Sequence, residues 1–181
     1  NYEANRHYYI NMYHRDHYDE AMSTLPIPNT TINITRIEVW LTNRTNSIEN
    51  TRNIIAFSDL GEAKAENCEG NPGTYSALEL PDNDANGLYS WASAQPLVRS
   101  FANAVSGLSA QVTAPGPFQQ AIHYEKVENA RKLTEQEFSY NAQLGFISLN
   151  QPLNNDEVLG VAYEYTYRGE TYQVGEFSTD G

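Results

Sequence analysis

Val158-Leu-Gly-Val-Ala-Tyr-Glu-Tyr-Thr-Tyr-Arg-Gly-Glu-Thr-Tyr-Gln-Val-Gly-Glu-Phe177 is the stretch that decides the fold. Two runs rich in β-branched and aromatic residues flank Arg168-Gly169, which is the pattern of a β-hairpin. Folding the stretch at Arg168-Gly169 sets Tyr165 opposite Tyr172, Tyr163 opposite Val174 and Val161 opposite Glu176, with Glu164 opposite Gln173 on the other face. A longer loop, Tyr167 to Glu170, keeps the same register. An odd loop would pair Tyr165 with Gln173 and Tyr163 with Gly175 and scatter the aromatic face, so an even loop is predicted. Cross-strand aromatic pairs of this kind contribute about 0.2–1 kcal/mol each, so sheet packing accounts for the tyrosines.

Upstream, Ile34 to Thr42 alternates, with Ile37, Val39 and Leu41 on one face, Arg36 and Glu38 on the other, and Trp40 interrupting the polar side. Asn53 to Leu60 reads as a second strand, and its run Ile54-Ile-Ala-Phe57 is apolar on both sides, which predicts a position deep in a sheet. Short strands are expected at Ile122 to Val127, Glu137 to Tyr140 and Gly145 to Leu149, with a helical turn within Glu128 to Gln136. The segment Gly61 to Gly73 reads as polar loop.

Helical spacing occurs twice. Tyr18, Ala21, Met22 and Leu25 repeat on one face of an N-terminal helix that Pro26 stops. Leu97, Phe101, Val105, Leu108 and Val112 step by three or four residues after Pro96, which predicts a long helix from Pro96 to Thr113. A shorter helical piece is expected near Asp84 to Ala94, and Pro115-Gly-Pro117 closes the region with a turn. The expected architecture is α+β: a mostly antiparallel sheet or sandwich-like core of about seven short strands, one long packed helix and an N-terminal helix. It is read as a single domain over residues 1–181, with a possible helical insertion at 82–117.

The chain has 181 residues and a formal charge of −12, with 11 Lys and Arg against 23 Asp and Glu. Such a surface repels phosphate backbones and anionic membranes, so nucleic acid is not an expected partner. Cys68 is the single cysteine, which excludes an intrachain disulfide and a cysteine-rich zinc site. Its polar Glu-Asn-Cys-Glu-Gly setting reads as an incidental thiol. No run of apolar residues approaches the length of a membrane-spanning helix. The sequence opens on Asn-Tyr-Glu-Ala without Met and stops soon after a strand, which reads as a fragment of a larger exported protein.

Few residue patterns carry chemistry. His14-Arg-Asp-His17 sets two imidazoles three residues apart, with Asp16, Asp19 and Glu20 nearby, and offers mixed nitrogen and oxygen ligands. The spacing lacks the His-Glu-x-x-His frame of a zinc protease, and a solvated helix face is the expected reading. Asp156-Glu157 after Asn154-Asn155 reads as a turn before the Val158 strand rather than as a carboxylate pair for glycoside hydrolysis. Asp82-Asn-Asp-Ala-Asn-Gly87 has alternating oxygens like a calcium loop but lacks the closing acid, and helix capping is expected instead. There is no Gly-x-Ser-x-Gly and no phosphate-cradling loop. Trp40, Trp91 and the tyrosines would form a sugar-binding platform only if several faced solvent together. The sequons at Asn29, Asn33 and Asn43 matter only on a eukaryotic secretory route. No catalytic, cofactor or metal-binding residue is expected.

Several stretches together resemble the SprA/Sov family, the large gliding-motility proteins of Bacteroidetes that form the outer-membrane translocon of the type IX secretion system. They are Asn5-Arg-His-Tyr-Tyr9 with Arg15-Asp16 and Tyr18, Ser23-Thr-Leu-Pro26, Ile34-Thr-Arg-Ile-Glu-Val-Trp-Leu-Thr-Asn43 and Thr51-Arg-Asn-Ile-Ile-Ala-Phe-Ser-Asp-Leu-Gly-Glu62. Tyr124-Glu-Lys-Val-Glu-Asn-Ala-Arg-Lys-Leu133, Leu144-Gly-Phe-Ile-Ser-Leu-Asn150 and the region from Asp156-Glu-Val-Leu through Tyr172-Gln-Val-Gly-Glu-Phe-Ser178 continue the likeness. Residues Ala63 to Gln119 fit only loosely, and nothing is carried over there.

The resemblance implies a soluble insertion between the strands of a protein-conducting outer-membrane β-barrel. It implies no catalysis and no cofactor. Ile37, Val39, Ile55 and Phe57 become core strand positions, and Gly61 and Gly145 backbone positions. The implied partners are the rest of the parent barrel and other secretion-system or cargo proteins. The implied location is the cell envelope, with the extracellular side preferred over the periplasm and without direct insertion of this segment into lipid. The expected function is a structural or interaction domain that helps cap or gate the barrel; a glycan-binding module of a cell-surface protein is the alternative, and a metal-dependent hydrolase using His14 and His17 is a third reading.

Overall fold

The computed structural model describes residues 4–27, 30–60, 80–84, 87–112 and 117–180. In chain order its elements are β1 (His7–Tyr9), α1 (Met12–Met22), β2 (Ile32–Leu41), β3 (Thr51–Phe57), α2 (Leu88–Ala94), α3 (Pro96–Arg99), α4 (Ala104–Ser109), β4 (Tyr124–Lys132), β5 (Phe138–Asn141), β6 (Phe146–Leu149), β7 (Leu159–Tyr167) and β8 (Glu170–Val174). The fold is α+β, and the strand pairs are antiparallel. Asn1–Leu41 with Lys132–Gly181 form one compact unit, and Thr42–Arg131 form a second. The expected loop at Gly61 to Gly73, with Gly61 and Cys68, lies outside the described residues, as do Asn29 and Pro115-Gly116.

In the first unit, β7 and β8 form the expected hairpin. Tyr165 pairs with Tyr172, Tyr163 with Val174 and Glu164 with Gln173. The loop is the two-residue one, since Tyr167 pairs with Glu170. Arg168 and Gly169 have φ of 50° and 80°, and a type I′ turn requires positive φ at both central positions. The registered pairs end at Tyr163–Val174, short of the expected Val161–Glu176 pair. Tyr165 stacks between Tyr163 at 6.2 Å and Tyr172 at 5.2 Å, and both Tyr163 and Tyr165 are buried.

β7 pairs along its other edge with β2, and a bulge reconciles two hydrophobic phases in that strand. Ile34 pairs with Tyr165, the register shifts at Thr35, and Ile37 then pairs with Tyr163 and Val39 with Val161. One extra residue reverses which face the following side chains take. Ile32 and Ile34 are therefore buried on the face that Val39 continues, although their numbers differ in parity. The other face, carrying Arg36, Glu38 and Trp40, was expected to be polar; Glu38 and Trp40 are buried there too. A second sheet of this unit has the order β1-β6-β5, with Tyr8 opposite Ile147 and Tyr140 opposite Ile147 from the far side. The helix α1 runs from Met12 to Met22 behind its N-cap Asn11 and ends a turn before Pro26, and of its expected face Ala21 is buried while Leu25 is exposed.

In the second unit, β3 pairs with β4. None of the β3 residues is fully buried, so the apolar run on both sides does not mark a deep strand. The pairing slips between Arg52 and Ile54, where Asn129 takes φ of 50° and donates its backbone N–H to Asn53 Oδ1 at 2.8 Å. This bulge breaks the alternation, which is why Glu128 to Lys132 did not read as strand; no helical turn forms there.

The long helix expected from Pro96 to Thr113 is replaced by the short helices α3 and α4, with α2 before them. The proline ring pushes Gln95 to an extended conformation (φ −97°, ψ 110°), so α2 ends at Ala94. Ser100 is extended as well, and Asn103 Nδ2 donates to its hydroxyl at 3.0 Å while Ser106 Oγ donates to Asn103 O at 2.8 Å. Such short polar side chains compete with helical backbone bonds. Leu88, Ala92, Val98 and Leu108 bury against Phe118 and Tyr124, and Trp91 stacks on Phe118 at 5.4 Å. The break leaves Leu97 56% and Val112 76% exposed, off the face that the spacing assigned to them.

Candidate functional site

Titratable side chains gather around a small cavity on one face of α1. Asn11 is its N-cap: extended backbone (φ −152°, ψ 171°) lets the side-chain Oδ1 accept from the backbone N–H of His14 at 2.8 Å. The same Oδ1 lies 2.8 Å from His14 Nδ1. Because Oδ1 can only accept, His14 Nδ1 carries the proton and Nε2 holds the lone pair. Asn11 Nδ2 donates to the Tyr163 hydroxyl at 3.0 Å, which ties the N-terminus of α1 to β7.

His14 is 3% exposed, so the expected solvated helix face is wrong for this residue. Gly145 at the start of β6, with φ of 69°, lies against its ring. Burial, and then the neighbouring His17, pushes the His14 imidazole down to about 4. Its Nε2 is buried and has no hydrogen-bond partner. His17 is half-buried, stacks on Tyr13 at 4.0 Å, and donates from Nδ1 to the Tyr13 carbonyl at 2.8 Å. A cavity of about 20 Å³ is lined by both rings together with Tyr13, Tyr18, Thr30 and Gln143. Asp16, paired with Arg15 at 3.1 Å, Asp19 and Glu20 do not line it.

A second polar cluster escaped the sequence reading. Glu38 on β2 is 3% exposed, and its Oε1 accepts from Lys132 Nζ at 2.8 Å, Ser178 Oγ at 2.8 Å and Arg36 at 3.5 Å, while Oε2 accepts from the Ser178 backbone N–H at 2.9 Å. Burial pushes the carboxyl up, yet the bonds from Lys132 and Ser178 together outweigh it and hold the group below its ordinary range. The Arg36 guanidinium covers the buried Phe177 ring at 3.8 Å. These contacts hold the Phe177–Asp180 segment, where Asp180 Oδ2 accepts from the Phe177 N–H at 2.9 Å. No local spacing announces Glu38, because its partners come from Lys132 and Ser178, far along the chain.

The other singled-out residues fall elsewhere. Asn154 N–H donates to Glu157 Oε1 at 3.1 Å and Glu157 N–H returns to Asn154 O at 3.1 Å, a turn as expected. Ser90 Oγ donates to Asp84 Oδ1 at 2.5 Å beside the start of α2, and among the described residues no three His, Cys, Asp or Glu gather as a metal cluster. Trp40 is buried and Trp91 is covered by Phe118, so they do not form an open aromatic platform. Asn43 accepts at Oδ1 from Thr45 N–H at 2.9 Å and donates from Nδ2 to Ser47 O at 2.9 Å, a local turn. No described helix is long and apolar enough to cross a membrane.

A scan against protein-family models gives no match to this chain, and a search of curated proteins gives none either.

Proposed function

We propose that the chain is a non-catalytic structural and interaction module of an outer-membrane protein-secretion translocon of the SprA/Sov kind, set between barrel strands outside the lipid, on the extracellular side. One observation supports this reading: of the segments that resemble the family, those nearest the two ends of the sequence supply β1, β2, β6, β7 and β8 of the first unit, while residues 51–62 and 124–133 supply β3 and β4 of the second. Stretches near the two ends of the sequence pair with each other, β1 with β6 and β2 with β7. The acidic charge of −12 supports a role away from anionic lipid surfaces. Its work is to cap or gate the barrel and to contact secretion partners or cargo. The test is an in-frame deletion of this segment in the parent protein, followed by measurement of cargo export and partner recovery. Loss of export with the parent still assembled in the membrane supports the reading, and unaltered export with full partner recovery overturns it.

A further inference from the structure

We propose that α1 carries a site for one divalent transition-metal ion of the zinc, nickel or copper class, bound by the Nε2 atoms of His14 and His17. The argument is independent of the secretion reading and rests on how the two imidazoles are held. Each ring gives its Nδ1–H to an oxygen that can only accept, Asn11 Oδ1 for His14 and the Tyr13 carbonyl for His17, both at 2.8 Å. In each neutral ring this leaves Nε2 as the nitrogen that can ligate. An outer hydrogen bond of this kind orients a metal-ligating histidine and raises its basicity.

The two histidines are three residues apart on one helix, which brings them to the same face, and both line the same small cavity. His14 Nε2, buried and without a partner, is a costly group to leave unpaired. It can only accept, so what satisfies it is a donor or a cation. A cavity of about 20 Å³ admits one water-sized occupant and no organic ligand. Imidazole nitrogens suit zinc, copper and nickel rather than calcium or magnesium, whose preferred ligands are oxygens. No third His, Cys, Asp or Glu joins the pair among the described residues, so water completes the coordination. Such a site is weaker than a structural zinc site with four protein ligands.

The test is titration of the full chain at neutral pH with zinc chloride and nickel chloride, read by calorimetry and by ¹H–¹⁵N spectra of the histidine rings. The expected result is saturation at one ion per chain, with the lone-pair nitrogens of His14 and His17 shifting together. His17→Ala, at a half-buried ring, should keep the fold while losing that binding and the accompanying rise in thermal midpoint. Absence of saturable binding, a shift confined to His7 or His123, or binding that survives His17→Ala overturns the proposal. So does a ring spectrum that puts the His14 proton on Nε2.

Discussion

Gly145 lies so close against the His14 ring that a Cβ built on it would sit 2.0 Å from Cγ and 2.1 Å from Cδ2. The glycine also has φ of 69°, in the left-handed region that L side chains avoid. The two constraints act together, since neither the buried ring nor the turn before β6 has room to yield. Gly145→Ala is expected to destabilise the chain by about 3 kcal/mol or more, from overpacking plus backbone strain. Urea denaturation measures it, and a loss below about 1 kcal/mol would show that the ring moves freely.

The buried neutral His14 makes stability depend on pH. The unfolded chain takes a proton at about 6.5, whereas the folded ring resists protonation until about 4. The unfolded state thus binds more protons across that interval, and stability is full above pH 6.5 and falls as the pH drops toward 4. The expected loss from this group is about 3 kcal/mol in metal-free protein. Thermal melts between pH 7 and 4 test it, and a His14→Gln variant should show a flatter profile over the same range.

Glu38 ties β2 to Lys132 and to the segment after β8. Truncating one member of a buried charge network strands its partners, so Glu38→Ala should cost about 3 kcal/mol. Lys132→Met, at a more exposed position, should cost less. With the Glu38 carboxyl held below its ordinary range, its contribution is present above the unfolded value near 4.5 and is lost as the pH falls through the folded value. Amide exchange at Ser178, whose N–H is bound to Glu38 Oε2, reports the latch directly, and protection unchanged in Glu38→Ala would refute it.

At the hairpin turn, Gly169 has open space around its missing side chain but φ of 80°, so Gly169→Ala should cost about 1 kcal/mol from conformation alone. Arg168 already occupies φ of 50°, and Asn adopts that region more readily than Arg. Arg168→Asn should therefore stabilise the chain by about 0.5 kcal/mol. The pair of opposite shifts in denaturant midpoint checks the type I′ assignment.

The hairpin register was legible because its information is local: one turn and one alternation determine every pair from Tyr163 to Glu170. The bulges at Thr35 and Asn129 were not, because an extra residue changes phase without leaving a mark in composition. The helical region showed the right spacing yet the wrong continuity. Leu108 is buried as the period requires, but Ser100 and Asn103 break the backbone, and before the break Val98 is buried instead of Leu97. His14 and Glu38 were read as solvated because burial of a polar side chain is decided by partners distant in sequence. Asn11, three residues before His14, carried the one local clue, as an N-cap whose oxygen also reaches the ring.

The pairing of β2 with β7 has a consequence for the order in which the chain acquires structure. Ile32 must find Tyr167 and Leu41 must find Leu159, and the whole of Thr42–Arg131 lies between them. During synthesis β2 emerges long before its neighbour exists, with Ile34 and Val39 bare until the hairpin arrives. Closing so large a loop is entropically slow, so the first unit completes last although it begins first. In that interval nascent β2 lacks the strand that covers this edge, and a ribosome stalled before Tyr167 would display it open.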